Sequence, residues 1–137
     1  MAIRVVRLGS PRVPGEGLRL GTVRRPPRGV PKSEFASRDY YDAWLPELAP
    51  SDTLVNVGQS AATDRDWRAF ARRYRSEMAQ PAAARMIELL AALSRTTSLS
   101  IGCYCADEAR CHRSILKELL EAHGAVIEPA WRRSPAP

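Results

Sequence analysis

Side chains that can do chemistry are concentrated in one short segment, from Cys103 to Arg113. It holds all three cysteines of the chain, Cys103, Cys105 and Cys111, and the last is followed at once by His112 and Arg113. A thiol beside an imidazole can act as an activated nucleophile, a guanidinium can bind an anion, and thiols with an imidazole can hold a metal ion. We therefore take this segment as the candidate site.

The elements predicted on either side explain how the segment could form a site. Residues 97–103 are β-branched and apolar and predict a strand, whereas Ile115, Leu116, Leu119 and Leu120 recur at helical spacing. Ligands of open α/β sheets bind at the carboxyl ends of strands, which is where a strand-to-helix junction lies. Helical spacing also turns the Cys-His pair before this helix toward the interior.

The first interpretation of the segment is anion binding. Free amide groups and a partial positive charge at a helix N-terminus favour a phosphate or carboxylate. Arg113 in the first turn would add a planar, bidentate donor, and Arg110 could assist it.

The second interpretation is a reactive thiol, with Cys111 as nucleophile or redox group and His112 as its base. A helix N-terminus and neighbouring cations favour a thiolate, although Asp107 and Glu108 oppose it. Two further interpretations stay open: a zinc site made by the three cysteines and His112, and a purely structural role in packing. The spacing is not that of a common zinc finger, so the sequence predicts no metal and no cofactor.

A second cluster of charge lies near the N-terminus. Residues 1–38 carry nine basic side chains against two acidic ones, whereas the whole chain has a net charge of +6. The stretch 24–32 combines Arg25, Arg28 and Lys32 with three prolines, which exclude helix and central strand. We expect a stiff cationic loop that attracts phosphate-bearing partners.

The remaining pattern predicts a single α/β domain over residues 1–128 and a loose basic tail over 129–137. Strands are predicted at 3–8 and 18–23, and helices begin after Thr63 and at Pro81. A short helix capped by Ser37 is predicted to carry Tyr40, Tyr41, Trp44, Leu45 and Leu48, and residues 125–127 are predicted to form a short strand. The fold class is therefore a short, mostly parallel sheet flanked by helices, ending in strand, loop and helix.

The amino-acid composition limits the class of protein and the compartment in which we expect it. Apolar residues make up 45% of the 137 residues and charged residues 26%, which is typical of a globular domain. No apolar run approaches the ~20 residues that cross a bilayer, and the N-terminus lacks the pattern of a signal peptide. We expect a cytoplasmic protein with no membrane partner.

The chain resembles bacterial domain-of-unknown-function family 488, whose YeaO-like members are small α/β proteins. The resemblance rests on the basic segment 24–29, on Trp67-Arg68-Ala69-Phe70 with Tyr74 and Met78, and above all on Cys111-His112-Arg113. The Cys103-x-Cys105 pair departs from the YeaO-like branch. The resemblance implies the fold and no particular activity.

The sequence thus predicts a pocket for an anionic, phosphate-bearing ligand, a nucleotide or a nucleic acid. Its residues would come from the Cys-His-Arg helix N-terminus and the basic loop. The alternatives are a thiol enzyme or redox protein that uses Cys111, and a structural motif. The predicted ligand-binding side chains are Arg113, Arg110, Arg28, Arg25 and Lys32.

Overall fold

The computed structural model describes residues 1–105 and 110–128. Its strands and helices, in chain order, are β1 (Ile3–Arg7), β2 (Leu18–Gly21), β3 (Ala43–Trp44), α1 (Asp52–Gln59), α2 (Asp64–Met78), α3 (Pro81–Leu93), β4 (Leu99–Cys103) and α4 (His112–Ala122). Two 3₁₀ turns lie at Lys32–Glu34 and Pro46–Leu48. The predicted tail and the acidic pair Asp107 and Glu108 lie outside the described residues.

The four strands form one parallel sheet in the order β1-β4-β2-β3. Strand β4 lies between β1 and β2, with Ile101 opposite both Val5 and Leu20. Every residue of β4 is buried, as expected for a parallel strand covered on both faces. The predicted α/β class with a final strand and helix is confirmed.

The helices begin and end where their sequence signals predict. Thr63 accepts a hydrogen bond from the amide of Asp66 at the start of α2, and Pro81 is the first residue of α3. Gly124 follows α4 with φ of +84°, the left-handed conformation that glycine adopts at helix ends. Helix α1 lies in a stretch where the sequence predicts no definite element, and the Ser51 hydroxyl caps it.

The predicted helix after Ser37 is wrong. The amides of Asp42 and Leu45 bond instead to the carbonyls of Arg19 and Gly21, which makes β3 a short edge strand beside β2. The indole of Trp44 also donates to the carbonyl of Val23 at 2.7 Å. These partners lie more than twenty residues away, so local apolar spacing does not reveal them.

The predicted strand at 125–127 is reduced to a single bridge, in which Ile127 pairs with Ile3. The main core lies between the sheet and the helices. It contains Phe70 and Tyr74 of α2 and Leu116 and Leu120 of α4. None of the described helices is long and apolar enough to span a membrane.

Candidate functional site

The candidate site lies at the carboxyl edge of the sheet. Cys103 ends β4, and Cys111 is the residue immediately before α4, which begins at His112. Arg7 ends β1 and lies opposite Cys103, while Thr22 follows the last residue of β2. Parallel strands bring their carboxyl ends to one edge, so residues from three strands and one helix meet there.

Two of the three thiols lie against each other in the interior. The Sγ atoms of Cys103 and Cys111 are 2.6 Å apart, and both side chains are buried. They pack in an apolar cluster with Leu8, Val23 and Tyr41. Cys105, by contrast, is exposed, and its thiol is near enough to the two buried thiols for them to influence its ionisation. The cluster is therefore accessible from solvent through Cys105.

His112 is held as a neutral imidazole of one tautomer. Its Nε2 donates to the carbonyl oxygen of Thr22 at 2.6 Å, so the proton is on Nε2 and Nδ1 carries a lone pair. Nδ1 lies 3.7 Å from Sγ of Cys111. Burial lowers the pKa of His112 to about 4, because water is excluded from the imidazolium form. The ring also packs against Tyr74, with the centroids 5.5 Å apart.

The thiols differ in their ionisation. Hydrogen bonds from Cys103 and Cys111 lower the pKa of Cys105, and the positive charge of Arg113 acts in the same direction. The pKa of Cys111 is raised by its bond with Cys103, by Cys105 and by burial, and the pKa of Cys103 is raised by Cys105 and by burial. The cluster thus favours one thiolate, at Cys105, and opposes a second. Sequence reasoning placed the thiolate at Cys111 instead.

Arg113 faces the interior. Its side chain is buried, and Nη1 donates to the carbonyl of Val6 at 2.8 Å. Nε finds no hydrogen-bond partner among the described residues. Arg110 is exposed and forms an ion pair with Asp64 of α2. The charge of Arg113 therefore favours a thiolate at Cys105, whereas the guanidinium of Arg110 is paired with Asp64 at the surface.

The structure brings the first part of the basic loop to the site. The Tyr104 hydroxyl donates to the backbone carbonyl of Arg25 at 2.9 Å. Arg24 anchors the loop by donating to the carbonyls of Pro50 and Ala49. The exposed Arg25 side chain itself pairs with Asp52 at 3.2 Å. The sequence alone could not predict this contact, which joins residues 79 positions apart.

The second part of the basic loop is placed differently. Arg28 is exposed, and no hydrogen bond or ion pair of its side chain is found within the described parts of the chain. Lys32 lines a shallow depression with Phe35, Tyr41 and Trp44. No hydrogen bond between described residues joins either side chain to a cysteine.

A comparison with protein-family models shows to which family the chain belongs. The family model described as "DUF488-N3a: Active DUF488-N3 subclade" matches residues 3–124, which include the whole sheet edge and the Cys-His-Arg triplet. The chain belongs to the DUF488 family. This confirms the resemblance found in the sequence. No curated protein and no solved structure gives a significant match.

Cys103, Cys111 and His112 are the described residues of this DUF488 chain that could hold a metal, since their ligand atoms lie within 4.8 Å of one another. Tetrahedral zinc with bonds of about 2.3 Å to sulfur needs thiolates about 3.8 Å apart. The 2.6 Å separation of the Cys103 and Cys111 sulfurs is too short for that geometry. As they stand, the two thiols do not fit a zinc ion.

Two contributors to the site escaped sequence reasoning. Arg7 donates from Nε to the carbonyl of Tyr104 at 3.2 Å, directly before Cys105. Thr22 supplies the carbonyl that fixes His112 and also donates its hydroxyl to Gly102 at 3.0 Å. Each is the last residue but one of a predicted strand, 3–8 or 18–23, and so lies near its carboxyl end. That position is the signal that could have identified them.

Proposed function

We propose that this DUF488 protein is a thiol-dependent enzyme in which the sulfur of Cys105 attacks an electrophilic atom of an anionic substrate. The observation that carries the proposal is the exposed thiol of Cys105 at the carboxyl edge of the sheet, two residues after Cys103, whose buried sulfur lies 2.6 Å from that of Cys111. The description of the matching subclade as "Active" supports an enzyme.

The neighbouring groups support a thiolate at Cys105. The nearby thiols of Cys103 and Cys111 lower the pKa of Cys105, because a thiol donor favours a neighbouring thiolate over a neutral thiol. The attack forms a bond between Sγ and the electrophile and displaces a leaving group, which takes its proton from water. We assign the nucleophile to Cys105 in preference to Cys111, since the side chain of Cys111 is buried.

His112 has a positioning role in this proposal. An imidazole with a pKa of about 4 is a weak base near neutral pH. Its hydrogen bond to Thr22 instead fixes the first turn of α4, and with it the sulfur of the preceding Cys111. The cysteine that donates to the nucleophile is thereby held in place.

The preference for an anion follows from the cations around Cys105. The Arg7 side chain contacts Tyr104, the residue before it, and the charge of Arg113 is buried nearby and favours a thiolate at Cys105. The backbone of Arg25 is bonded to Tyr104, which keeps this basic residue at the same edge. Such a setting raises the local concentration of negatively charged substrates. A nucleotide or a nucleic-acid phosphate is the substrate class we propose, with Arg28 three residues further along the loop and Arg110 two residues before α4 as additional candidate contacts.

The pH dependence of alkylation tests the nucleophile. We expect the rate of Cys105 with iodoacetamide in the reduced, folded protein to stay nearly constant from pH 6 to 9, because the thiol is already ionised. At pH 6 the rate should exceed that of the same residue in guanidinium by about tenfold, a gain limited by the lower nucleophilicity of a stabilised thiolate. Quenched samples would be assigned by peptide mass spectrometry.

Variants identify the cause of that behaviour. Cys103→Ala and Cys111→Ala each remove one donor, so each should return part of the ordinary rise in rate toward pH 8.5. Tyr40→Phe serves as a control at the same edge that leaves the thiols unchanged. A Cys105 rate in the wild-type protein that climbs about tenfold per pH unit between pH 6 and 8 would contradict the proposal.

The charge of the reagent tests the substrate class. We expect the ratio of the iodoacetate rate to the iodoacetamide rate at Cys105 to exceed the ratio in guanidinium. Arg7→Gln and Arg25→Gln should each lower it by about two- to fivefold, the size expected for exposed charges. Arg85→Gln on α3 is the matched control, since it removes the same charge from an exposed position. Equal ratios in all four proteins would exclude a role for these cations.

A further inference from the structure

We propose that Cys103 and Cys111 form a reversible disulfide that switches Cys105 off as a nucleophile. The idea that Cys105 is the group being switched rests on the proposed function, whereas the disulfide itself does not. The starting observation is the 2.6 Å separation of the two sulfurs, which is only about 0.6 Å longer than the S–S bond of a disulfide.

The fold holds the two sulfurs together by its own elements. Cys103 is the last residue of the central strand, and Cys111 is fixed by the first turn of α4. Helix α4 is itself held at this edge by the bonds from His112 to Thr22 and from Arg113 to Val6. Bond formation therefore needs only a small movement of two side chains. A disulfide requires two backbones that bring the sulfurs within reach of each other, and the 2.6 Å separation of these sulfurs meets that requirement.

Burial separates the roles of the three thiols. Cys103 and Cys111 lie in an apolar cluster, where an oxidant dissolved in water does not reach them directly. Cys105 is exposed and follows Cys103 by two residues. An oxidised low-molecular-weight thiol, such as glutathione disulfide, would therefore react first at Cys105.

The electrons and atoms balance over three exchanges. The Cys105 thiolate attacks glutathione disulfide, forms a mixed disulfide and releases one glutathione thiolate. Cys103 loses its proton, attacks the Cys105 sulfur and releases the second glutathione thiolate. Cys111 then loses its proton and attacks the Cys103 sulfur, and Cys105 departs as a thiolate. Two protein thiols are oxidised, and one glutathione disulfide is reduced to two thiols.

The consequence for the site follows from the hydrogen bonds. The disulfide leaves neither Cys103 nor Cys111 with an S–H group, so Cys105 loses both thiol donors that favour its thiolate. Oxidation would therefore reduce the reactivity of Cys105 near neutral pH without modifying that residue. Reduction by free thiols restores the two donors.

The test uses the full-length protein equilibrated with glutathione redox buffers, quenched with acid, alkylated and digested with trypsin. Cleavage after Arg95, Arg110 and Arg113 places Cys103 and Cys105 on residues 96–110 and Cys111 on residues 111–113. We expect these two peptides to be linked, with the alkyl group on Cys105. The alkylation rate of Cys105 at pH 6 should then fall by about tenfold in the oxidised protein.

Variants test separately whether the disulfide between Cys103 and Cys111 forms and whether its rapid formation needs Cys105. Cys103→Ser should abolish the 103–111 linkage. Cys105→Ser should form the linkage at least about tenfold more slowly, since the exposed entry thiol is gone. Its linked fraction at equilibrium should be no lower than in the wild type, because the reduced state no longer gains from the bonds to the Cys105 thiolate. The proposed function is tested by a separate measurement, the alkylation rate of Cys105 in the reduced protein.

Three results would overturn the inference. They are a product linked through Cys105, glutathione remaining on Cys105 with Cys103 and Cys111 both alkylated, and a 103–111 disulfide that leaves the Cys105 rate unchanged. The first two deny the disulfide, and the third denies its action on Cys105.

Discussion

Replacing Arg19 by Met should lower the free energy of unfolding by about 3–5 kcal/mol, the cost of removing one partner from a buried ion pair. The Arg19 side chain is fully buried, with Nε and Nη2 donating to the two carboxylate oxygens of Glu16 at 2.7 and 2.9 Å. Its Nη1 donates to the carbonyls of Ser10 and Asp39. The variant would leave the buried carboxylate of Glu16 without its charged partner and the carbonyl of Ser10 without its donor.

The pKa of Glu16 shows how strongly the pair is coupled. Burial acts to raise it, but the hydrogen bonds and charge of Arg19 outweigh burial, and the pKa is lowered. The change in stability would be measured by urea unfolding followed by circular dichroism, with the midpoint and the slope compared between proteins.

Two further variants make the Arg19 result specific. Arg12→Met breaks a half-exposed ion pair with Asp42, so its cost should stay below about 1 kcal/mol. Adding Glu16→Leu to Arg19→Met should recover part of the lost stability, because no unpaired charge then remains buried. If Arg19→Met costs no more than Arg12→Met, the ion pair does not hold this part of the fold together.

Acidification should destabilise the protein through His112. The pKa of His112 is about 4 in the folded protein and 6.5 for an ordinary histidine, so between these values the unfolded chain binds the proton first. The free energy of unfolding therefore falls as the pH is lowered through this window, by about 1.4 kcal/mol per pH unit at most. The total approaches about 3 kcal/mol at pH 4.

The His112→Gln variant isolates this contribution. Gln keeps an N–H group for the carbonyl of Thr22 but has no proton to take up in this range. We expect the loss of stability between pH 6.5 and 4 to be smaller by about 3 kcal/mol in the variant than in the wild type. Acidic groups such as Glu16 and Asp42 titrate in both proteins, so they cancel in the comparison.

His123→Gln is the control for the pH experiment, since this second histidine is exposed at the end of α4. It should leave the pH dependence of stability unchanged. Parallel curves of stability against pH for the wild type and His112→Gln would mean that His112 is not kept neutral by burial.

Much of the candidate site could be predicted because its signals are local. The strand at 97–103, the helix ending before Gly124 and the Cys-His-Arg triplet between them are read from nearby residues. The caps at Thr63 and Pro81 are equally local. Helical periodicity and helix-end signals depend on residues within a few positions of each other, so they can be recognised without knowledge of the fold.

The sequence by itself thus determined the α/β class and the segment in which chemistry is concentrated. Only the tertiary structure decided which thiol is exposed, and that Arg113 points to Val6 in the interior. The failed helix after Ser37 has the same cause, since distant bonds to β2 direct that backbone. Burial and strand order arise from contacts between residues far apart in the chain. The local spacing of residue types does not indicate which distant residues will be in contact.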